Sequence, residues 1–190
     1  MKVKRSLLVI SIILCGAGGA MAMPSVAKTP QTTASTTYLA QNTYNPDSRT
    51  IKWNNNNHTF TITLSKRSFQ PAGRQISQRA DGFYLIDGKR PIGIASRRLP
   101  REELASFDVQ VDGKRWVVPA QLWRDCYEPN LGKVPGDATR KEMSYVQAEL
   151  SKDGQRLTVK MLGSDAAGAY TVTWNLRDDG NHSREITAIN

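Results

Sequence analysis

Apolar and polar residues alternate with a period of two along several short segments of this 190-residue chain. The clearest alternation covers residues 170–176, and the same period occurs at 60–64 and 157–161. Because successive side chains of a strand point to opposite faces, this period predicts strands that are buried on one side only. Turn-forming residues separate these segments, so the chain is predicted to be a series of short strands.

Asp-Gly pairs stand between β-forming runs at four places in the chain: Asp87-Gly88, Asp112-Gly113, Asp153-Gly154 and Asp179-Gly180. Such a pair is typical of a hairpin with a type I′ turn, which needs positive φ at both central residues. Glycine adopts that conformation freely, and aspartate tolerates it. We therefore predict hairpins throughout, with two central ones at residues 83–94 and 107–118.

Helical signals are confined to two short segments. Pro100 suits the first position of a single helical turn at residues 100–104. Pro119 suits the start of a short amphipathic helix at residues 119–127, which would turn Cys126 inward. The prediction is an all-β fold with one or two short helices, built as an antiparallel, hairpin-based sandwich or barrel of about ten short strands.

The beginning of the chain has the pattern of a secretory signal peptide. Three basic residues within the first five positions precede an apolar stretch, and Ala20-Met21-Ala22 supplies the small residues of a cleavage site. We predict a signal peptide at residues 1–22, with a second candidate cleavage site after Ala27. The expected location is an exported compartment, either the periplasm or the extracellular space.

The composition changes after the leader. Residues 28–48 are rich in Thr, Ser, Asn and Gln and lack an apolar period, which predicts a flexible linker. Residues 49–190 carry the alternating segments and are predicted to form a single β domain. No segment after the leader is apolar enough to cross a bilayer, which requires about 20 residues.

The chain is basic, with a formal net charge of +9 at pH 7. An anionic envelope polymer or another protein is the expected partner of such a surface. The basic residues form separated pairs rather than a run, which argues against nucleic acid. Residues 66–81 are predicted to be a long exposed loop whose cations form a contact surface. The candidate binding residues are these cations and two aromatic residues that could stack on sugars: Lys66, Arg67, Arg74, Arg79, Trp53 and Trp116.

The candidate metal ligands are His58 and His182. A zinc or copper site needs several ligands at coherent spacing, and the chain has no Cys-x-x-Cys or His-Glu-x-x-His motif. We therefore predict no cofactor.

One segment resembles a known family. Tyr170-Thr171-Val172-Thr173-Trp174, followed by Asp179-Gly180-Asn181-His182, is similar to the last part of a periplasmic copper-carrier family with an immunoglobulin-like sandwich. In that family the strand leads into Asp-Gly-His, whose Asp and His bind copper beside an N-terminal His. The resemblance implies the same role for Asp179 and His182. Here Asn181 separates Gly180 from His182, and neither candidate mature N-terminus, Met23 or Lys28, is a histidine.

No catalytic motif is visible in the sequence. Cys126 lies beside Asp125 and Glu128, whose negative charges would raise rather than lower the pKa of a thiol. The leading hypothesis is an exported, non-enzymatic β-domain that binds or scaffolds a component of the cell envelope or of the extracellular space. The alternatives are a hydrolase whose site is not visible in the sequence and a periplasmic copper carrier with a β-sandwich.

Overall fold

The computed structural model describes residues 41–45, 47–55, 57–132, 145–164 and 167–189, all within the unit 37–190. The predicted signal peptide and residues 28–40 of the predicted linker lie outside the described residues. The described chain is almost entirely β, as the alternating pattern predicts. No helix in it is long and apolar enough to span a bilayer.

Eleven strands and one short 3₁₀ helix, η1, make up the described fold, against the predicted ten or so strands. Their bounds are β1 Gln41–Asn45, β2 Ser48–Asn54, β3 Thr59–Ser68, β4 Ile76–Gln78, β5 Tyr84–Ile86, β6 Glu102–Val111, β7 Lys114–Trp116, η1 Ala120–Leu122, β8 Val146–Leu150, β9 Arg156–Gly163, β10 Tyr170–Arg177 and β11 Ser183–Ala188. A five-stranded sheet has the order β1-β2-β3-β6-β7, and a four-stranded sheet has the order β11-β10-β9-β8. Strands β4 and β5 form a separate hairpin, and all these pairs are antiparallel.

Residues of both larger sheets form one hydrophobic core cluster, and within the described residues neither sheet closes into a barrel, so the arrangement is sandwich-like. The ring of Phe107 in β6 lies 4.8 Å from that of Trp174 in β10, which joins the sheets across the core. Each fully buried aliphatic or aromatic side chain contributes about 1.5–3 kcal/mol to folding. Buried alternate positions of both sheets supply most of this core: Ile51, Phe60, Ile62, Leu64, Val109, Val111, Leu157, Val159, Met161, Val172, Trp174 and Leu176.

Two local predictions differ from the structure because backbone pairing overrides the side-chain pattern. Strand β1 begins at Gln41, inside the predicted linker, and pairs with β2 from Gln41–Lys52 to Asn45–Ser48. Pairing at a sheet edge requires backbone groups rather than apolar side chains, so a polar segment can supply it. The predicted helical turn at 100–104 is wrong, since β6 begins at Glu102 and pairs with the end of β3.

The predicted helix at 119–127 is shorter than expected. Only Ala120–Leu122 is helical, as η1, and the chain then turns to run between the two sheets. Cys126 forms a bridge with Ile92, and Tyr127 forms one with Glu103. These bridges replace helical hydrogen bonds, so the backbone groups remain satisfied. The inward orientation of Cys126 is confirmed, because the residue is fully buried.

The Asp-Gly turns are of two kinds. Asp87-Gly88 and Asp112-Gly113 have positive φ at both residues, as predicted for type I′ turns. At residues 153–154 and 179–180 only the glycine has positive φ, so the type I′ prediction is wrong there. The reason is loop length: residues 112 and 113 alone join β6 to β7, whereas the other two turns lie in longer connections.

Candidate functional site

The four cations of the predicted contact loop are all paired with carboxylates. Residues 66–68 end β3 and residues 76–78 form β4, so much of the predicted loop is strand. The nitrogen–oxygen distances are 2.8 Å for Lys66–Glu102, 2.9 Å for Arg67–Glu103, 2.8 Å for Arg74–Glu103 and 3.0 Å for Arg79–Asp81. Their charges are therefore compensated within the chain, and the predicted contact surface is not a free positive surface.

Glu103 is the centre of this ion-pair network. Its side chain is 1% exposed, and each of its two oxygens accepts a hydrogen bond from a different arginine, Arg67 or Arg74. Arg74 also lies 3.5 Å from Asp87 and sits above the ring of Phe69. Hydrogen bonds to both carboxylate oxygens offset the cost of burying a charge. The network therefore fixes Arg74 in one position.

A cleft of about 170 Å³ opens beside Arg74, and we call it the basic cleft. The turn after β5 forms one wall, and the segment that begins with η1 forms the other. Tyr127 is largely buried beside it, and its hydroxyl group lies 3.5 Å from Arg74. The charged residues that line the basic cleft are Arg74, Asp87, Lys89, Arg90, Arg124 and Asp125.

Positive charge exceeds negative charge in the basic cleft. Its two carboxylates are already paired, Asp87 with Arg74 and Asp125 with both terminal nitrogens of Arg184. In contrast, the cations at positions 89, 90 and 124 form no ion pair with any carboxylate in the described part of the chain. Three uncompensated cations, Lys89, Arg90 and Arg124, therefore border this small space.

The neighbouring aromatic and acidic groups set the character of the basic cleft. The guanidinium group of Arg90 lies 4.2 Å from the centre of the Phe83 ring, a contact that orients it without neutralising it. Burial raises the pKa of Tyr127 to about 12, so its hydroxyl group stays protonated at neutral pH. The hydrogen bond from Arg184 to Asp125 raises the pKa of Arg184 further.

Cys126 and three carboxylates, Glu102, Glu103 and Asp125, are the groups that a hydrolase could use, and each is buried or paired. Cys126 is fully buried, and this burial, followed by the charge of Asp125, raises the pKa of its thiol to about 12. A protonated, inaccessible thiol is a poor nucleophile. Asp125 is paired with Arg184, as Glu102 and Glu103 are with their own cations. In the described part of the chain, these residues therefore supply neither the acid–base pair nor the nucleophile that the hydrolase hypothesis needs.

The candidate metal ligands lie in different hydrogen-bond environments. His58 contacts Asp112 at 2.8 Å, and the pKa of that carboxyl is held below its ordinary value by the Thr59 backbone N–H and by His58. His182 uses both ring nitrogens, accepting from the Arg177 backbone and contacting the Val117 carbonyl group. Among the described residues no three His, Cys, Asp or Glu side chains are grouped to hold a metal ion. The implied copper ligation by Asp179 and His182 therefore has no third ligand there.

The two candidate aromatic residues belong to the core or its border. Trp116 is 4% exposed and cannot stack on a ligand at the surface. Trp53 is half-buried and stacks on Phe60, with the ring centres 5.4 Å apart.

Sequence reasoning missed the basic cleft, although Lys89-Arg90 is visible as a basic pair. Arg124 is distant from this pair in the sequence and joins it only through the tertiary fold. No protein-family model matches the chain, and no curated protein or solved structure is significantly similar to it.

Proposed function

We propose that the protein is an exported, non-enzymatic β-domain that binds an anionic component of the cell envelope through the basic cleft. The observation that carries the proposal is the convergence of Lys89, Arg90 and Arg124 on one small cleft without carboxylate partners. The signal-peptide pattern of residues 1–22 supports export.

Like charges that share a small space repel one another, and a bound anion relieves this repulsion. Elsewhere in the described chain, basic residues of the predicted contact loop are paired with carboxylates. The guanidinium groups of Arg90 and Arg124 also suit the planar oxygen pairs of phosphate and carboxylate groups.

The proposal can be tested by isothermal titration of the folded protein with methyl phosphate and with linear polyphosphate at low ionic strength. The cleft variant combines Lys89→Gln, Arg90→Gln and Arg124→Gln. The matched control combines Lys52→Gln, Lys152→Gln and Lys160→Gln, three exposed residues outside the cleft, and has the same net charge.

We expect the cleft variant to bind both anions at least roughly tenfold more weakly, because it loses three charge-assisted contacts. The control variant should keep methyl phosphate binding near the wild-type level. Equal losses in the two variants would mean that net charge, rather than the cleft, attracts the anion. Absence of any binding by the wild-type protein would also contradict the proposal.

A further inference from the structure

A second depression adjoins the basic cleft, with a volume of about 380 Å³, and we call it the apolar groove. Residues 90–95 form one side, and residues 167–170 together with the end of β11 form the other. The two sides meet closely at Gly93 and Gly168, where a β-carbon on Gly168 would fall 2.7 Å from the Gly93 carbonyl oxygen. Glycine at position 168 therefore allows this close contact between the two sides.

The apolar groove exposes hydrophobic side chains to solvent. Ile92 and Ile186 line it and are only half-buried. Ile189, at its rim, is 44% exposed and is one of two large exposed hydrophobic residues in the described chain, the other being Val117. Apolar side chains gathered at a concave surface are typical of a binding site, whereas a single scattered one is ordinary.

The basic cleft and the apolar groove lie side by side and share a wall. Arg90, Pro91 and Ile92 line both, so a cation stands where the two depressions meet. Small-molecule pockets usually measure about 300–1,000 Å³. The groove falls in this range at about 380 Å³, whereas the cleft, at about 170 Å³, is large enough only for a small group. A ligand that fills both would carry a compact anionic group at one end of an apolar chain.

We propose that this ligand is a single-chain anionic lipid, with its head group in the basic cleft and its acyl chain in the apolar groove. The inference rests on the proposed function and identifies the class of its anionic partner. Arg90 would contact the lipid at the junction between its head group and its acyl chain. Ile92, Ile186 and Ile189 would contact the methylene groups, which gain free energy when they leave water.

The test compares three probes that separate the effect of the ligand's head-group charge from that of its alkyl chain. Methyl phosphate has the head group alone, dodecyl maltoside has the chain with a neutral head, and dodecyl phosphate has both. Each is titrated below its micelle concentration into the wild-type protein and two variants. Ile189→Ser changes the groove, and Val117→Ser is the matched control at the other exposed apolar position. Both side chains are exposed, so both variants should fold.

We expect dodecyl phosphate to bind at least roughly tenfold more tightly than methyl phosphate, because each buried methylene group strengthens binding severalfold. Ile189→Ser should reduce this gain several-fold and leave methyl phosphate binding unchanged, whereas Val117→Ser should change neither. Equal affinity for the two phosphates would overturn the lipid proposal while leaving the anion-binding proposal intact. The anion-binding proposal has its own test, which is the loss of methyl phosphate binding in the cleft variant.

Two other occupants would also overturn the lipid proposal. If dodecyl maltoside binds as tightly as dodecyl phosphate, the groove takes a neutral apolar ligand without help from the cleft. If sedimentation shows a dimer that Ile189→Ser dissociates, a second copy of this chain covers the groove. A monomer that discriminates between dodecyl phosphate and dodecyl maltoside supports the proposal.

Discussion

At the scale of single residues, the burial of Glu103 is the most consequential feature of the described chain. A carboxylate that is 1% exposed is stable only if its charge is paired and its oxygens are hydrogen-bonded. Arg67 and Arg74 meet both conditions, one at each oxygen. Because Arg74 also lines the basic cleft, Glu103 supports the cleft without lying in it.

Replacing Glu103 by Gln keeps the shape of the side chain and removes its charge. We expect Glu103→Gln to lower the free energy of unfolding by about 2–4 kcal/mol, because Arg74 is left largely buried without its main counter-charge. The matched control is Glu102→Gln, which breaks the more exposed pair with Lys66 and should cost under about 1 kcal/mol. Urea unfolding at pH 7 measures both values, and equal costs would mean that Glu103 has no special role.

Some features of single residues could be predicted from the sequence, and others could not. The inward orientation of Cys126 was predicted from helical spacing and is confirmed, but its cause is different, because the segment is not helical there and Cys126 forms a bridge with Ile92. The pairing of Lys66 and Arg67 with Glu102 and Glu103 was not predictable, because 36 residues separate the partners and only the register between β3 and β6 brings them together. Local charge patterns suggested a free basic loop for this reason.

At the scale of elements, the conformation of the Asp-Gly turns was predicted correctly at two of the four positions, Asp87-Gly88 and Asp112-Gly113. The Asp112-Gly113 pair has the predicted conformation because the turn is local and depends on two residues only. The helix at 119–127 was less predictable, because residues that pack against a core can have helical spacing in an irregular segment. There, pairing with strands on both sides decided the backbone conformation.

Two of the glycines differ in what surrounds them, and this gives a prediction. Both Gly113 and Gly154 have positive φ, which asparagine tolerates, but only Gly154 lies against another side chain. A β-carbon at Gly154 would fall 2.7 Å from the His58 ring, which Asp112 holds in place. We expect Gly154→Asn to lower the free energy of unfolding by about 1–3 kcal/mol more than Gly113→Asn.

The cause of that difference can be isolated with His58→Ala. If the ring is the obstacle, the cost of Gly154→Asn should fall by about 1 kcal/mol or more in the His58→Ala background. A β-carbon at Gly113 would have no atom within 4 Å apart from its chain neighbours, so the cost of Gly113→Asn should change less. Thermal unfolding of the single and double variants measures these differences. An unchanged cost for Gly154→Asn would show that backbone conformation, rather than the ring, limits that position.

At the scale of the whole molecule, the junction between the two sheets concentrates buried weak acids. Cys126 and Tyr127 lie in the segment between the sheets, and the hydroxyl group of Tyr170 donates a hydrogen bond to the carbonyl group of Tyr127. Burial raises the pKa of Cys126 from 9.0 to about 12 and that of Tyr127 from 10.0 to about 12, and it raises the pKa of Tyr170 well above 10.0. The folded state therefore favours the protonated form of all three groups.

The raised pKa values predict how stability depends on alkaline pH. An acid whose pKa is higher in the folded state holds its proton there after the unfolded chain has released it. Its contribution to stability is therefore complete below the unfolded values, near pH 9 to 10, and is lost as the pH rises towards 12. Each such group should steepen the fall in the free energy of unfolding by up to about 1.4 kcal/mol per pH unit in that range.

Variants of these groups separate their contribution from that of lysines, which titrate in the same range. Urea unfolding from pH 8 to 11.5 gives the slope of the free energy of unfolding against pH. Tyr127→Phe and Cys126→Ala should each reduce this slope by an amount that corresponds to up to about one proton. A change in stability at pH 8 shifts the whole curve by a constant and leaves its slope unchanged, so the slope is the quantity to compare. If both variants keep the wild-type slope, the junction does not govern alkaline unfolding. A flatter slope in both would show that one buried segment, which ties the two sheets together and borders the basic cleft, sets the alkaline limit of the whole fold.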